Sequence, residues 1–230
     1  FGGELLLPAT NSTPVVVADV NGDGKLDIIT VTASVTNSAI RIFLGNGDGT
    51  FTITPDISLS SNALNASIAV GDLNGDGAVD LVVTGSGLSQ AYVLLGNGDG
   101  TFGPPSGFGS VNSPESLVIG DFNGDGKLDI VLPDFGNSAV AILLGNGDGT
   151  FQAQSEYPTN GYAFGLFAAD FNQDGNLDLA VLSTVVGSNL VLLGKGDGTF
   201  TAGKPFPSGN AASGIITADV NGDGKADLAV

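Results

Sequence analysis

One pattern, Asp-x-Asn-x-Asp-Gly-x-x-Asp, occurs five times in this chain: Asp19 to Asp27, Asp72 to Asp80, Asp121 to Asp129, Asp170 to Asp178 and Asp219 to Asp227. Successive copies start 53, 49, 49 and 49 residues apart. Chance does not hold such a register. A fixed period of this size means one supersecondary unit per repeat, each burying its apolar faces only against its neighbours.

Each unit reads as short strands. In the first full unit they run over 15–19, 27–32, 39–44 and 51–59. Val, Ile, Leu and Thr dominate these runs, and Gly, Asn and Asp punctuate them. No segment keeps a helical period over ten residues. The pattern predicts an all-β chain, a β-propeller of four-stranded blades about 49 residues long. The repeat units lie near 1–50, 51–101, 102–150, 151–199 and 200–230, the last one partial, within a single domain over 1–230. Phe1-Gly2 matches the tail of one more unit, so we expect four full repeats and a fifth split between the termini, or a piece of a larger ring. An open array would leave sheet faces uncovered, and self-association is the expectation if the ring is incomplete. Ala18, Gly71, Gly120, Ala169 and Ala218 precede each first Asp, which predicts an innermost strand crowded against a central channel.

The nine-residue pattern is a sharp turn lined with oxygen. Positions 1, 3 and 5 offer side-chain oxygens and position 7 a backbone carbonyl, as in the first half of an EF-hand loop, and position 9 differs in being an Asp on the outgoing strand. The candidate metal ligands are therefore Asp19, Asn21, Asp23, Lys25 and Asp27; Asp72, Asn74, Asp76, Ala78 and Asp80; Asp121, Asn123, Asp125, Lys127 and Asp129; Asp170, Asn172, Asp174, Asn176 and Asp178; and Asp219, Asn221, Asp223, Lys225 and Asp227. Lys25, Ala78, Lys127, Asn176 and Lys225 enter through their carbonyls. Hard oxygens select calcium over softer metals, and magnesium demands a tighter octahedron. The expected cofactor is calcium, about one ion per loop and up to five. The loops hold 15 of the chain's 24 acids, and five divalent ions, each adding two charges, would take the net charge from −18 to −8. The fourth loop carries Gln173 and Asn176 at positions that use no side chain.

Composition narrows the chemistry further. The chain has no His and no Cys, which removes zinc, iron and copper sites built on them and Ser-His-Asp or Cys-His catalysis. Its acidity argues against nucleic-acid partners. No apolar run approaches a membrane span.

A second motif, Leu-Gly-Asn-Gly-Asp-Gly-Thr-Phe, occurs at 44–51, 95–102 and 144–151, and at 193–200 with Lys195 in place of Asn. It lacks the Gly-Lys-Ser/Thr ending of a phosphate loop and leads into a strand. It predicts a tight hairpin between third and fourth strands, with Phe51, Phe102, Phe151 and Phe200 anchoring the contacts between blades.

Together the two motifs resemble the FG-GAP/VCBS repeat family, which includes the integrin α-subunit propeller and many bacterial secreted proteins. The resemblance spans essentially the whole chain. It implies a propeller, often seven-bladed, with calcium between the first two strands of several blades, on the five loops named above.

In an up-and-down blade the 1–2 and 3–4 loops share one face and the 2–3 and 4–1 loops the other. The first face repeats nearly unchanged. The second carries the segments that differ, among them 33–38, 85–90, 133–138 and 183–189 between second and third strands. The expected function is a non-catalytic, calcium-stabilised extracellular or cell-surface adhesion module that binds protein or glycan on the varied face. A glycan-binding lectin is the alternative, with Tyr157 and Tyr162 in one varied loop. A polysaccharide lyase or hydrolase, with Glu115 and Asp134 as a carboxylate pair, ranks behind it.

Overall fold

The computed structural model describes residues 12–32, 38–59, 63–185, 189–207, 216–218, 220, 222 and 227–229. The expected tail of a further unit at Phe1-Gly2 lies outside them. The described residues are all-β, with no helix and hence none that could cross a membrane. The first blade comprises β1 (Ser12–Ala18), β2 (Asp27–Thr32), β3 (Ala39–Gly45), β4 (Phe51–Ile53) and β5 (Ile57–Ser58). The second has β6 (Leu64–Gly71), β7 (Asp80–Ser86), β8 (Ala91–Leu94) and β9 (Ser106–Phe108). The third has β10 (Val118–Gly120), β11 (Asp129–Asp134), β12 (Ala139–Leu143) and β13 (Ser155–Pro158). The fourth has β14 (Ala163–Ala169), β15 (Asp178–Ser183), β16 (Asn189–Gly194) and β17 (Phe200–Phe206). A pair, β18 (Ile216–Ala218) and β19 (Asp227–Ala229), begins the fifth.

Every blade is an antiparallel meander with the strands side by side in chain order. The register repeats too. Ala18 faces Asp27, Gly71 faces Asp80, Gly120 faces Asp129, Ala169 faces Asp178 and Ala218 faces Asp227. The fourth strand differs from expectation, because β4 and β5 are separated at 54–56. Pro55 in that gap has no N–H to give to the ladder.

The middle strands of the second and third blades are buried on both faces, since each of these blades is sandwiched between two others. Leu81 and Val83 of β7 belong to the core shared with the first blade, while Val82 between them belongs to the core shared with the third. Ile130 and Leu132 of β11 look back to the second blade, and Val131 looks forward to the fourth. Side chains alternating on a pleated strand thus weld consecutive sheets. Val15 of β1 is 61% exposed, whereas its counterparts Ile68, Leu117 and Leu166, each with a blade in front, are 8%, 7% and 6% exposed.

At two of the small residues before a first Asp, the neighbour that crowds them can be named. A Cβ on Gly71 would lie 2.6 Å from Leu128 Cδ1, and one on Gly120 would lie 2.7 Å from Leu177 Cδ1. The crowding comes from the eighth loop residue of the next blade.

Candidate functional site

The acid loops begin as backbone geometry. Gly24, Gly77 and Gly126, at position 6, sit at φ 79°, 86° and 81°, a left-handed bend that L side chains resist. Gly175 continues the series at φ 89°, and at position 4, where the other copies have Gly, Gln173 adopts the same hand at φ 61°. Around this bend the first aspartate turns inward. Asp19 Oδ1 accepts from Gly22 N at 2.8 Å and Asp23 N at 3.2 Å, and Oδ2 accepts from Gly24 N at 2.8 Å. Asp72 and Asp121 repeat all three bonds. Asn21 Oδ1 accepts Asp23 N at 3.0 Å, and Asp23 Oδ1 accepts Lys25 N at 2.9 Å. Those amides hold the position-5 carboxyls of Asp23, Asp76, Asp125 and Asp174 below the usual carboxylate range.

Position 9 behaves differently. Asp27, Asp80, Asp129 and Asp178 are fully buried. Each spans two amides: Asp129 Oδ2 accepts Phe122 N and Oδ1 accepts Gly145 N, both at 2.8 Å. Asp27 joins Val20 N to Gly45 N, Asp80 joins Leu73 N to Gly96 N, and Asp178 joins Phe171 N to Gly194 N. The carboxylate therefore ties its own loop to the end of the third strand. Burial pushes the carboxyls of Asp80, Asp129 and Asp178 up, helped by the loop's other two aspartates. Among the described residues no three carboxylates converge on one point, because positions 1, 5 and 9 each turn to backbone amides. Of the fifth loop, Asp219, Asn221, Asp223 and Lys225 lie outside the described residues, and Asp227 opens β19.

The second motif closes onto the first. Gly47 and Gly49 take φ 80° and 87°, and Asp48 Oδ1 accepts Thr50 N at 2.9 Å, as the hairpin reading requires. The turn also reaches the preceding blade. Gly100 N donates to Val20 O at 3.2 Å, Gly149 N to Leu73 O at 3.2 Å, and Gly198 N to Phe122 O at 3.0 Å. Phe200 packs against Phe122 and Tyr157 of the third blade, and Phe151 against Phe108 of the second. Sequence reasoning missed Gly45, Gly96, Gly145 and Gly194 as partners of position 9. A Cβ there would sit 2.2 Å from the carbonyl oxygen of Leu26, Val79, Leu128 or Leu177, so glycine is required.

The opposite face is irregular. Asp134 is buried and accepts Asn112 N, Asn137 N and Asn137 Nδ2 at 3.2, 3.1 and 2.9 Å. Glu115 Oε1 accepts Asn65 Nδ2 at 3.1 Å. The two acids expected as a pair are thus committed to separate neighbours. Tyr157 belongs to a core between blades, while Tyr162 is exposed and stacks on Phe135 with ring centroids 5.0 Å apart.

With both motifs and their geometry in place, the comparisons with known proteins are decisive on family. The FG-GAP-like repeat matches four times, over 19–83, 72–132, 123–181 and 170–230. The chain belongs to the FG-GAP-like repeat family. No curated protein matches it in sequence. Among solved structures, this FG-GAP-like chain is similar to a lectin from Agrocybe aegerita described as recognising non-reducing terminal N-acetylglucosamine, at 23% identity and a TM-score of 0.60. That match covers 94% of this chain and 60% of the lectin chain. It is also similar to the biofilm matrix protein Bap1 of V. cholerae (19% identity, TM-score 0.54, 93% of this chain and 33% of that one). A third is rhamnogalacturonan lyase PL11 of Bacillus licheniformis (15% identity, TM-score 0.63, 94% and 46%). At these identities the likeness is one of fold: a propeller-like arrangement of FG-GAP-like blades, of which this chain spans only part of each neighbour's length.

Proposed function

We propose that the chain is a non-catalytic extracellular binding and adhesion module, stiffened by calcium in its acid loops, that recognises protein or glycan on the face of its 2–3 and 4–1 loops. One observation carries this reading. The acid-loop face repeats the same internal hydrogen bonds from blade to blade, while the opposite face varies and exposes aromatic rings. The family assignment and the lectin and matrix-protein neighbours support a binding role. Asp134 and Glu115 are engaged in structural hydrogen bonds, which favours binding over catalysis.

The donor chemistry fits a hard divalent cation. Every candidate atom is oxygen, and a carboxylate oxygen that accepts one amide keeps a second lone pair. In the first loop Asp19, Asn21, Asp23, Asp27 and the Lys25 carbonyl would hold the ion, and the equivalent residues would do so in the others. Calcium would supply positive charge among repelling carboxylates and cross-link the two strands of each hairpin. Millimolar calcium outside cells fills even weak sites.

Melting in calcium and in excess chelator tests this. We expect calcium to raise Tm by on the order of 10 °C or more, since several sites each add a few kcal/mol. An unchanged Tm would remove calcium from the proposal.

A further inference from the structure

Two departures from the repeat meet on the varied face. Six residues after the position-9 aspartate the other full repeats carry Ala33, Ser86 and Thr184, but the third carries Phe135. Eight residues before the first aspartate the earlier repeats carry Asn11, Leu64 and Ser113, but the fourth carries Tyr162. Their rings lie 20° from parallel, and they are 36% and 47% exposed. Stacking rings is ordinary in a core. On a surface the rings cover part of each other and still leave apolar area in water.

The loops beneath the rings are braced. Phe135 N donates to Asn112 O at 3.1 Å, Thr159 N to Ser138 O at 2.8 Å, and Thr184 N to Tyr162 O at 3.1 Å. These bonds join the two loops entering the third and fourth blades to the 2–3 loops of both. Asp134, buried with its carboxylate satisfied, anchors the hairpin from below. Ser113 and Ser138 sit at φ 50° and 51°, a strained hand for serine that the surroundings enforce. A bulge in β14 between Ala163 and Gly165 follows Tyr162 directly. The rings are therefore a fixed platform.

Apart from exposed Val185 beside Gly161, the rim is polar and uncharged. The Asn112 side chain packs over Gly136, where a Cβ would come within 2.8 Å of it, one residue from Phe135. Asn137 gives its Nδ2 to Asp134 and keeps its carboxamide oxygen as an acceptor. The described cations lie elsewhere: Lys25, Lys127 and Lys195 are in the acid loops and turns, Arg41 pairs with Asp56 on the outer edge, and Lys204 is in β17. No described Lys or Arg stands ready to hold a carboxylate or phosphate here.

We propose that the Phe135–Tyr162 platform binds a neutral pyranose unit of a saccharide. The apolar C–H face of the sugar lies on the electron-rich rings, and its hydroxyls bond to the Asn112 and Asn137 carboxamides. The proposal rests on the reading of this face as the recognition surface.

Saturation-transfer NMR on the calcium-loaded chain tests it, with the methyl glycosides of glucose, galactose, mannose, fucose, N-acetylglucosamine and glucuronic acid as probes. The variants are Phe135→Ala with Tyr162→Ala, and Tyr162→Phe alone. We expect transfer to the ring C–H protons of at least one neutral glycoside, a loss of at least about tenfold in affinity in the double variant, and retention in Tyr162→Phe. The glucuronide should bind more weakly than the neutral sugars. No transfer from any neutral glycoside, or transfer that survives the double substitution, overturns the proposal. So does binding of a Trp- or Tyr-anchored peptide at the platform when every sugar fails. Melting of the same samples with and without calcium separates the two claims. A preserved calcium shift with no sugar binding sinks the platform alone, and a missing shift sinks the calcium-stabilised module.

Discussion

On the face of the acid loops, Asp27, Asp80, Asp129 and Asp178 make the same pair of amide bonds in every described blade. On the other face, six residues further along, Ser86, Phe135 and Thr184 share a register and nothing else. The first face is specified by hydrogen bonds that stay within a blade or reach one blade back, so any residue that breaks them fails in every copy. The second is specified by contacts particular to one junction, so it is free to diverge. Rigidity in one and variation in the other follow from the same strands, because each strand ends once on each face.

The contrast can be attacked in order of effect. Gly145→Ala puts a Cβ 2.2 Å from the Leu128 carbonyl oxygen, against backbone that cannot move aside. We expect a loss of roughly 4 kcal/mol or more, read as failure to fold or a collapse of the urea midpoint. A fold that tolerates alanine there would break the claim that this face is fixed. Asp129→Ala leaves Phe122 N and Gly145 N buried and unpaired. It should cost about 1–3 kcal/mol per amide in chelator, where no metal contributes. A cost seen only when calcium is present would mean that position 9 serves the ion alone.

Titration gives a gentler probe. Asp80, Asp129 and Asp178 are raised above the ordinary carboxyl value of 3.8 by burial. A raised folded pKa means stability that is complete below the unfolded value and lost as pH climbs through the folded one. The position-5 carboxyls are lowered, so their contribution is complete above 3.8 and lost as pH falls through their depressed values. The calcium-free chain should therefore peak in stability at mildly acid pH and weaken toward pH 7. Added calcium should flatten that upper limb. Equal urea midpoints at mildly acid and neutral pH without calcium would contradict the burial of position 9. The smallest effect belongs to the varied face. Tyr162→Phe keeps the ring and removes only the hydroxyl of a side chain that is 47% exposed. We expect a change within about 0.5 kcal/mol in denaturant unfolding, set against the collapse at Gly145.

Much of the first face was legible in the sequence because its causes are local. The left-handed glycines, the register of Ala18 opposite Asp27 and the Thr50-capped hairpin all lie within one period. The role of Asp27 was not, since its second partner, Gly45, lies 18 residues on and carries no polar side chain to announce itself. Gly71 was read as crowded, but the residue that crowds it was not legible, because Leu128 arrives from the next blade. Tyr157 and Tyr162 looked alike in one loop, yet the first is packed at a blade junction and the second stands in water. Phe135, 27 residues before its partner Tyr162, gave no local signal beyond its departure from the repeat.

The bonds from Gly100, Gly149 and Gly198 to the loop carbonyls of the preceding blade have a mechanical consequence. They act as clasps in series along the chain, so each bears the whole pulling force and they fail one at a time. Each rupture would free one repeat, and 49 residues of released chain extend by about 160–175 Å. A chain stretched from its ends should yield in evenly spaced steps of that length. A ligand gripped on the opposite face would be held by a tether that gives way one blade at a time.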